Sequence, residues 1–249
     1  MPREEVVVTT RDGQCPAVVV TPEGQGPWPA VIVFMDAGGL RPSIVAIAER
    51  IAAMGYVAFA PEMYYRSLPY EPFDMASAFG DDGERARLMG MITALTKAAA
   101  TSDSEAFLDY LADRPDVAGT RVGTTGYCMG GGISLTVGAR FPDRVAAVAG
   151  FHAGNVGSDA PDSPHLIAGD IAGKVYLAAA SDDRTFPPEQ EERLVTALTG
   201  GGVDFTLETY PALHGFAVGD SPSYDAAAAE RHYRALESLY GSTLGRLAP

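Results

Sequence analysis

Three short segments of the chain carry side chains suited to covalent catalysis. Gly126-Tyr127-Cys128-Met129-Gly130 sets a thiol between two glycines, each two residues away. At a tight turn from strand to helix such a thiol projects clear of the backbone. Glycine at the flanking positions removes the collision a side chain would cause there. The helix that follows would direct its positive dipole end at Cys128 and favour thiolate over thiol. Ser181-Asp182-Asp183 and Leu213-His214-Gly215-Phe216 supply an acid and a base further along the chain. A nucleophilic thiol needs a base within hydrogen-bond reach, and the base needs an acceptor to hold its tautomer. Cys128, Asp183 and His214 together would meet these needs. The other histidines fit less well. His232 falls in the last helical segment and His165 in a Pro-flanked loop, while His152 follows an apolar run and could border the site, although it precedes the acid.

The elements that must position these groups follow from periodicity. Val6–Thr9 and Cys15–Val20 flank Arg11-Asp12-Gly13-Gln14, a hairpin signal, with Cys15 expected as a small buried filler. Ala30–Met35 and Tyr56–Ala60 are continuous apolar runs, as in strands covered on both faces. Between them Ile44, Ile47, Ala48 and Ile51 recur at helical spacing, and Gly55 suits a C′ residue. Further strands fit Arg121–Tyr127, Val145–Phe151, Val175–Ala180 and Phe205–Tyr210, and a last helix fits Ser223–Tyr240. Ser102-Asp103-Ser104-Glu105 has capping-box spacing and predicts a helix starting there and ending before Pro115. Pro61–Gly80, rich in Tyr, Phe and Pro, reads as a long irregular loop. The pattern predicts one α/β domain over 1–249, with a mostly parallel sheet of about eight strands, an N-terminal antiparallel hairpin and helices on both faces. Cys128, Asp183 and His214 then all follow strands, at the carboxyl edge of the sheet.

Composition excludes several classes of partner. The 249 residues include 18 Lys plus Arg against 32 Asp plus Glu, a formal net charge of −14. Nucleic acid and anionic membrane surfaces would be repelled, and no basic run offsets this. The opening MPREEVVVTT has no apolar stretch of signal-peptide length, and no run approaches the roughly 18 apolar residues of a membrane span. Two cysteines are too few for a disulfide framework, so a cytoplasmic protein with free thiols is expected. No metal is implied, because neither an H-E-x-x-H motif nor a paired-Cys spacing occurs, and the chemistry needs no cofactor.

The elbow GYCMGG with the segments SDDRTFP and LHGF resembles the dienelactone hydrolases, the cysteine branch of the α/β-hydrolases, from about Val6 to Tyr240. That resemblance implies an α/β-hydrolase fold and cleavage of a small ester or lactone through a Cys-His-Asp triad and a thioester intermediate. In the family's pattern Pro follows the acid by four residues, as Pro187 follows Asp183, so Asp183 rather than Asp182 takes the role. The resemblance also implies an oxyanion hole from the backbone N–H groups of Met129 and Ala37, and a role near the resting thiol for Asp36, where the family has Glu. Substrate contacts are expected from Tyr64, Arg66, Arg85, Tyr127, His152, Phe186 and Phe216. The chain departs from the family four residues after the base, where Val218 replaces an arginine that holds a substrate carboxylate. Acyl transfer by the same triad and a non-catalytic binding protein are the alternatives, and either a monomer or a homodimer is compatible with the sequence.

Overall fold

The computed structural model describes residues 1–245. Eight strands form one sheet: β1 (Arg3–Thr10), β2 (Gly13–Val20), β3 (Ala30–Phe34), β4 (Val57–Pro61), β5 (Val122–Tyr127), β6 (Val145–Phe151), β7 (Lys174–Ala180) and β8 (Phe205–Tyr210). Their order is β1-β2-β4-β3-β5-β6-β7-β8. β1 pairs antiparallel with β2, and β2 antiparallel with β4. All other pairings are parallel. The hairpin closes on Arg11 and Asp12, with Thr10 opposite Gly13. Every residue of β3, β4, β5 and β6 is buried, Thr124 and Thr125 of β5 included, as in strands covered on both faces, whereas β1 keeps most of its residues toward water.

The helices are α1 (Pro42–Ala53), α2 (Asp82–Ala94), α3 (Lys97–Ala112), α4 (Met129–Arg140), α5 (Pro188–Gly200) and α6 (Ala226–Thr243). The chain moves one way along the sheet from β3 to β4 and the other way from β4 onward, so right-handed crossovers put α1 and α3–α5 on opposite faces. Arg50 on α1 meets Glu230 on α6, which returns the last helix to the α1 face. α1 ends as expected, with Gly55 at φ +97° just past Met54.

Two expectations about the middle of the chain need correction. α3 begins at Lys97 rather than near Ser102, because Thr96 caps it by accepting from the Ala99 N–H at 3.1 Å. Ser104 lies inside the helix and donates back to Ala100 O at 2.7 Å, while Asp103 is buried against Arg66 and Tyr65. Neither side chain is at a helix end. The Pro61–Gly80 stretch also holds one short turn of 3₁₀ helix, Tyr65–Ser67, before Asp81 caps α2.

The direction of winding reverses between β3 and β5, and in open α/β sheets this reversal opens a crevice at the carboxyl ends of the strands. The turn after β3 carries Asp36 and Ala37, and the turn after β5 carries Cys128. Asp183 follows β7 and His214 follows β8, so all four segments border the same edge.

Candidate active site

Cys128 sits between β5 and α4 with φ 55° and ψ −118°, a conformation that strains any residue with a Cβ. The glycines around it are sterically required. A Cβ on Gly126 would lie 1.9 Å from Gly130 O, and one on Gly130 would lie 2.4 Å from Met35 O. The turn is pinned by the Cys128 N–H donating to Phe151 O at 3.1 Å. Cys128 is partly exposed at the helix N-terminus, whereas Cys15 is buried in β2. Burial pushes the Cys15 thiol well above its ordinary value, leaving it inert as a nucleophile.

His214 Nδ1 lies 2.7 Å from Asp183 Oδ2, across the carboxyl ends of β7 and β8. The other oxygen, Oδ1, accepts from the Thr185 N–H at 2.9 Å and from its hydroxyl at 2.7 Å. Burial opposes charge on both partners, yet their mutual bond wins. Asp183 is held below the usual carboxylate range by His214 and Thr185. His214 is pushed up to about 10 by Asp183 and by its hydrogen bond and charge interaction with Cys128. With Nδ1 committed to Asp183, Nε2 is the nitrogen left for the thiol. Asp182 is exposed, with φ +52°, and its side chain makes no hydrogen bond or ion pair among the described residues.

The turn after β3 is folded around a buried arginine. The N–H groups of Gly38, Gly39 and Leu40 are satisfied by Asp36 Oδ1, Asp36 O and Glu62 Oε2. Among the described residues the Ala37 N–H donates to no acceptor. Met129 heads α4, where the first N–H groups lack intrahelical partners. The Tyr64 hydroxyl lies 3.1 Å from Ala37 O and 3.2 Å from Met129 Sδ, so Tyr64 joins the two segments.

The remaining expected contacts divide sharply. His152, itself at φ +40°, packs edge-on against His214 and Phe216, each with ring centroids 5.0 Å away. Among the described residues neither of its buried ring nitrogens has a hydrogen-bond partner, and burial holds the ring neutral. Phe186 and Phe216 are buried beside the array, with Phe216 stacked on Tyr210. Tyr127 is fully buried with its hydroxyl on His232 Nε2 at 3.1 Å, so it packs the core under the elbow rather than meeting a ligand. Arg66 binds the buried Asp103 through two nitrogens, and also binds Asp12. Arg85 lies on the exposed face of α2 and pairs with Asp82. Asp36, expected beside the thiol, gives both carboxylate oxygens to Arg41. Val218 has no exposed surface. Thr185 and Arg41 were not anticipated. Thr185 had a local signal, since Asp accepting from the N–H two residues on is an Asx turn. Arg41 left no such signal, because Asp220, which joins Asp36 on its guanidinium, lies 179 residues away.

A model of the "Dienelactone hydrolase family" matches residues 15–244. The chain belongs to the dienelactone hydrolase family. The fold is the α/β-hydrolase fold, and the protein is a carboxylic ester or lactone hydrolase. A Synechocystis sp. protein named "Putative carboxymethylenebutenolidase" is 31% identical over 211 residues, covering 83% of this chain and 82% of its own. The crystal structure of a Klebsiella pneumoniae protein described as a "Putative Dienelactone Hydrolase" superposes with TM-score 0.83 at 25% identity, covering 96% of this chain and 98% of that one. A metagenomic "Dienelactone Hydrolase-like Promiscuous" phosphotriesterase superposes with TM-score 0.78 at 26% identity, covering 98% and 99%. Among the described residues no helix is long and apolar enough to cross a membrane.

Proposed function

We propose that this hydrolase cleaves small neutral esters or lactones through Cys128, His214 and Asp183, with a thioester acyl-enzyme as intermediate. The observation that carries this reading is the His214–Asp183 bond of 2.7 Å beside a partly exposed thiol at a strained elbow. His214 Nε2 takes the proton of the Cys128 thiol, and Asp183 stabilises the imidazolium. The thiolate attacks the carbonyl carbon. Charge then develops on the carbonyl oxygen, and the N–H groups of Ala37 and Met129 receive it. As the C–O bond breaks, the alkoxide takes the proton from Nε2. Water then gives a proton to His214 and adds to the thioester, releasing the acid and restoring the thiolate.

The neutral preference rests on where the cations are. Val218 stands where the family has an arginine, Arg66 and Arg85 are paired elsewhere, and the guanidinium nearest the oxyanion turn, Arg41, has no free N–H. The test is turnover of p-nitrophenyl acetate, with intact-protein mass for the acyl adduct. Cys128→Ala should lose the adduct and about 10⁴- to 10⁶-fold in kcat, while Cys15→Ala keeps both. An adduct on another residue, or full activity in Cys128→Ala, overturns the proposal.

A further inference from the structure

We infer that Arg41 is a positioning residue that locks the oxyanion turn after β3 to the loop carrying His214. The inference rests on the catalytic roles proposed above for Ala37 and His214. Arg41 opens α1 and is buried, with all five of its N–H donors engaged. Nε and Nη2 reach the two oxygens of Asp220, at 2.7 and 2.8 Å. Nη2 and Nη1 reach the two oxygens of Asp36, and Nη1 also reaches Gly39 O at 3.2 Å. Both contacts are two-pronged, the geometry only a guanidinium supplies.

The two carboxylates belong to different halves of the site. Asp36 directly precedes Ala37. Asp220 lies in the compact turn after His214, where Val218 N–H donates to Gly215 O and Ser221 N–H to Val218 O. The turn after β3 wraps so closely that a Cβ on Gly38 would come 2.5 Å from Arg41 Nη1. Remove the guanidinium and two carboxylates, Asp36 buried and Asp220 exposed, face each other across the gap between the donor and the base. The burden on Arg41 is therefore geometric as well as electrostatic: it compensates both charges and sets the distance between the segments. Because its donors are saturated, it serves this purpose and not the capture of a substrate anion.

Arg41→Lys separates the two contributions, since lysine keeps the charge but cannot fork to both carboxylates. The expected result is a fall of about 10- to 100-fold in kcat on a neutral ester, with KM within about three-fold. Alkylation of Cys128 by iodoacetamide uses the thiolate but no oxyanion hole, and should stay within about three-fold of the wild type. Amide hydrogen exchange should rise together in 36–41 and 215–221. Asp220→Asn should move kcat and exchange in the same direction by less, because Asn offers one acceptor oxygen and turns an NH₂ donor toward the other Arg41 N–H. Unchanged exchange in either segment overturns the inference, as does unchanged kcat. Alkylation falling in step with kcat overturns it too, because that would mean collapse of the whole site. If the wild type turns over no ester, the proposed reaction fails while exchange still decides whether Arg41 couples the two segments.

Discussion

Replacing Asp183 by Asn tests the register of the acid and its physical role together. The carboxylate accepts three hydrogen bonds, one from His214 Nδ1 and two from Thr185, and donates none. An amide cannot reproduce this. With its NH₂ toward His214, the proton of the imidazole is forced onto Nε2, which then cannot accept one from Cys128. With the amide flipped, NH₂ meets the Thr185 N–H, donor against donor. In either pose a charge-assisted bond of about 1.5–3 kcal/mol is lost, and a buried donor is left unpaired at about 1–3 kcal/mol. At 1.36 kcal/mol per tenfold, the expected fall in kcat is about 10² to 10⁴. Asp182→Asn should stay within about two-fold, since its side chain is exposed and Asn tolerates positive φ. The assay is kcat for p-nitrophenyl acetate at neutral pH, with melting temperatures to confirm folding. An Asp183→Asn enzyme within three-fold of the wild type, or equal losses in the two variants, would refute the assignment and the tautomer argument with it.

Two further outcomes are expected. In a matched pair of substrates, methyl ester and free acid, kcat/KM should favour the ester, because an unpaired carboxylate in the site meets a desolvation penalty of several kcal/mol. A tenfold preference for the acid would refute this and direct attention to Arg184, exposed beside Asp183 and with no ion pair among the described residues. The second concerns acid stability. Burial pulls His232 down to about 3, so the folded state keeps it neutral while the unfolded chain takes up a proton near 6.5. Its contribution is fully present above about pH 6.5 and is lost as pH falls toward about 3, by at most about 5 kcal/mol. Urea midpoints between pH 7 and 4 should fall less steeply in His232→Phe. Equal slopes would show that another group governs acid unfolding.

What the sequence determined by itself was local or periodic. The apolar runs of β3, β4 and β6 could be read because strands buried on both faces need no polar face. The elbow could be read because backbone crowding within five residues demands glycine at both ends, and the 1.9 and 2.4 Å clearances at Gly126 and Gly130 bear that out. The choice of Asp183 over Asp182 rested on family spacing, and the structure gives Asp183 the hydrogen bond to His214. The helix start at Thr96 was missed because Ser102-Asp103-Ser104-Glu105 satisfies a local rule that tertiary packing overrides, drawing Asp103 to Arg66. Only the tertiary structure decided which charges meet. Arg41 is 179 residues from Asp220, and Arg66 is 37 from Asp103. Nothing in an arginine's own neighbourhood says whether its fork is free for a ligand or saturated within the protein. Tyr127 and His152 make the same point. Each stands next to a turn at the sheet edge, yet one is buried on His232 and the other packs against His214, because the identity of the neighbour depends on how α6 and the β8 loop return to the sheet.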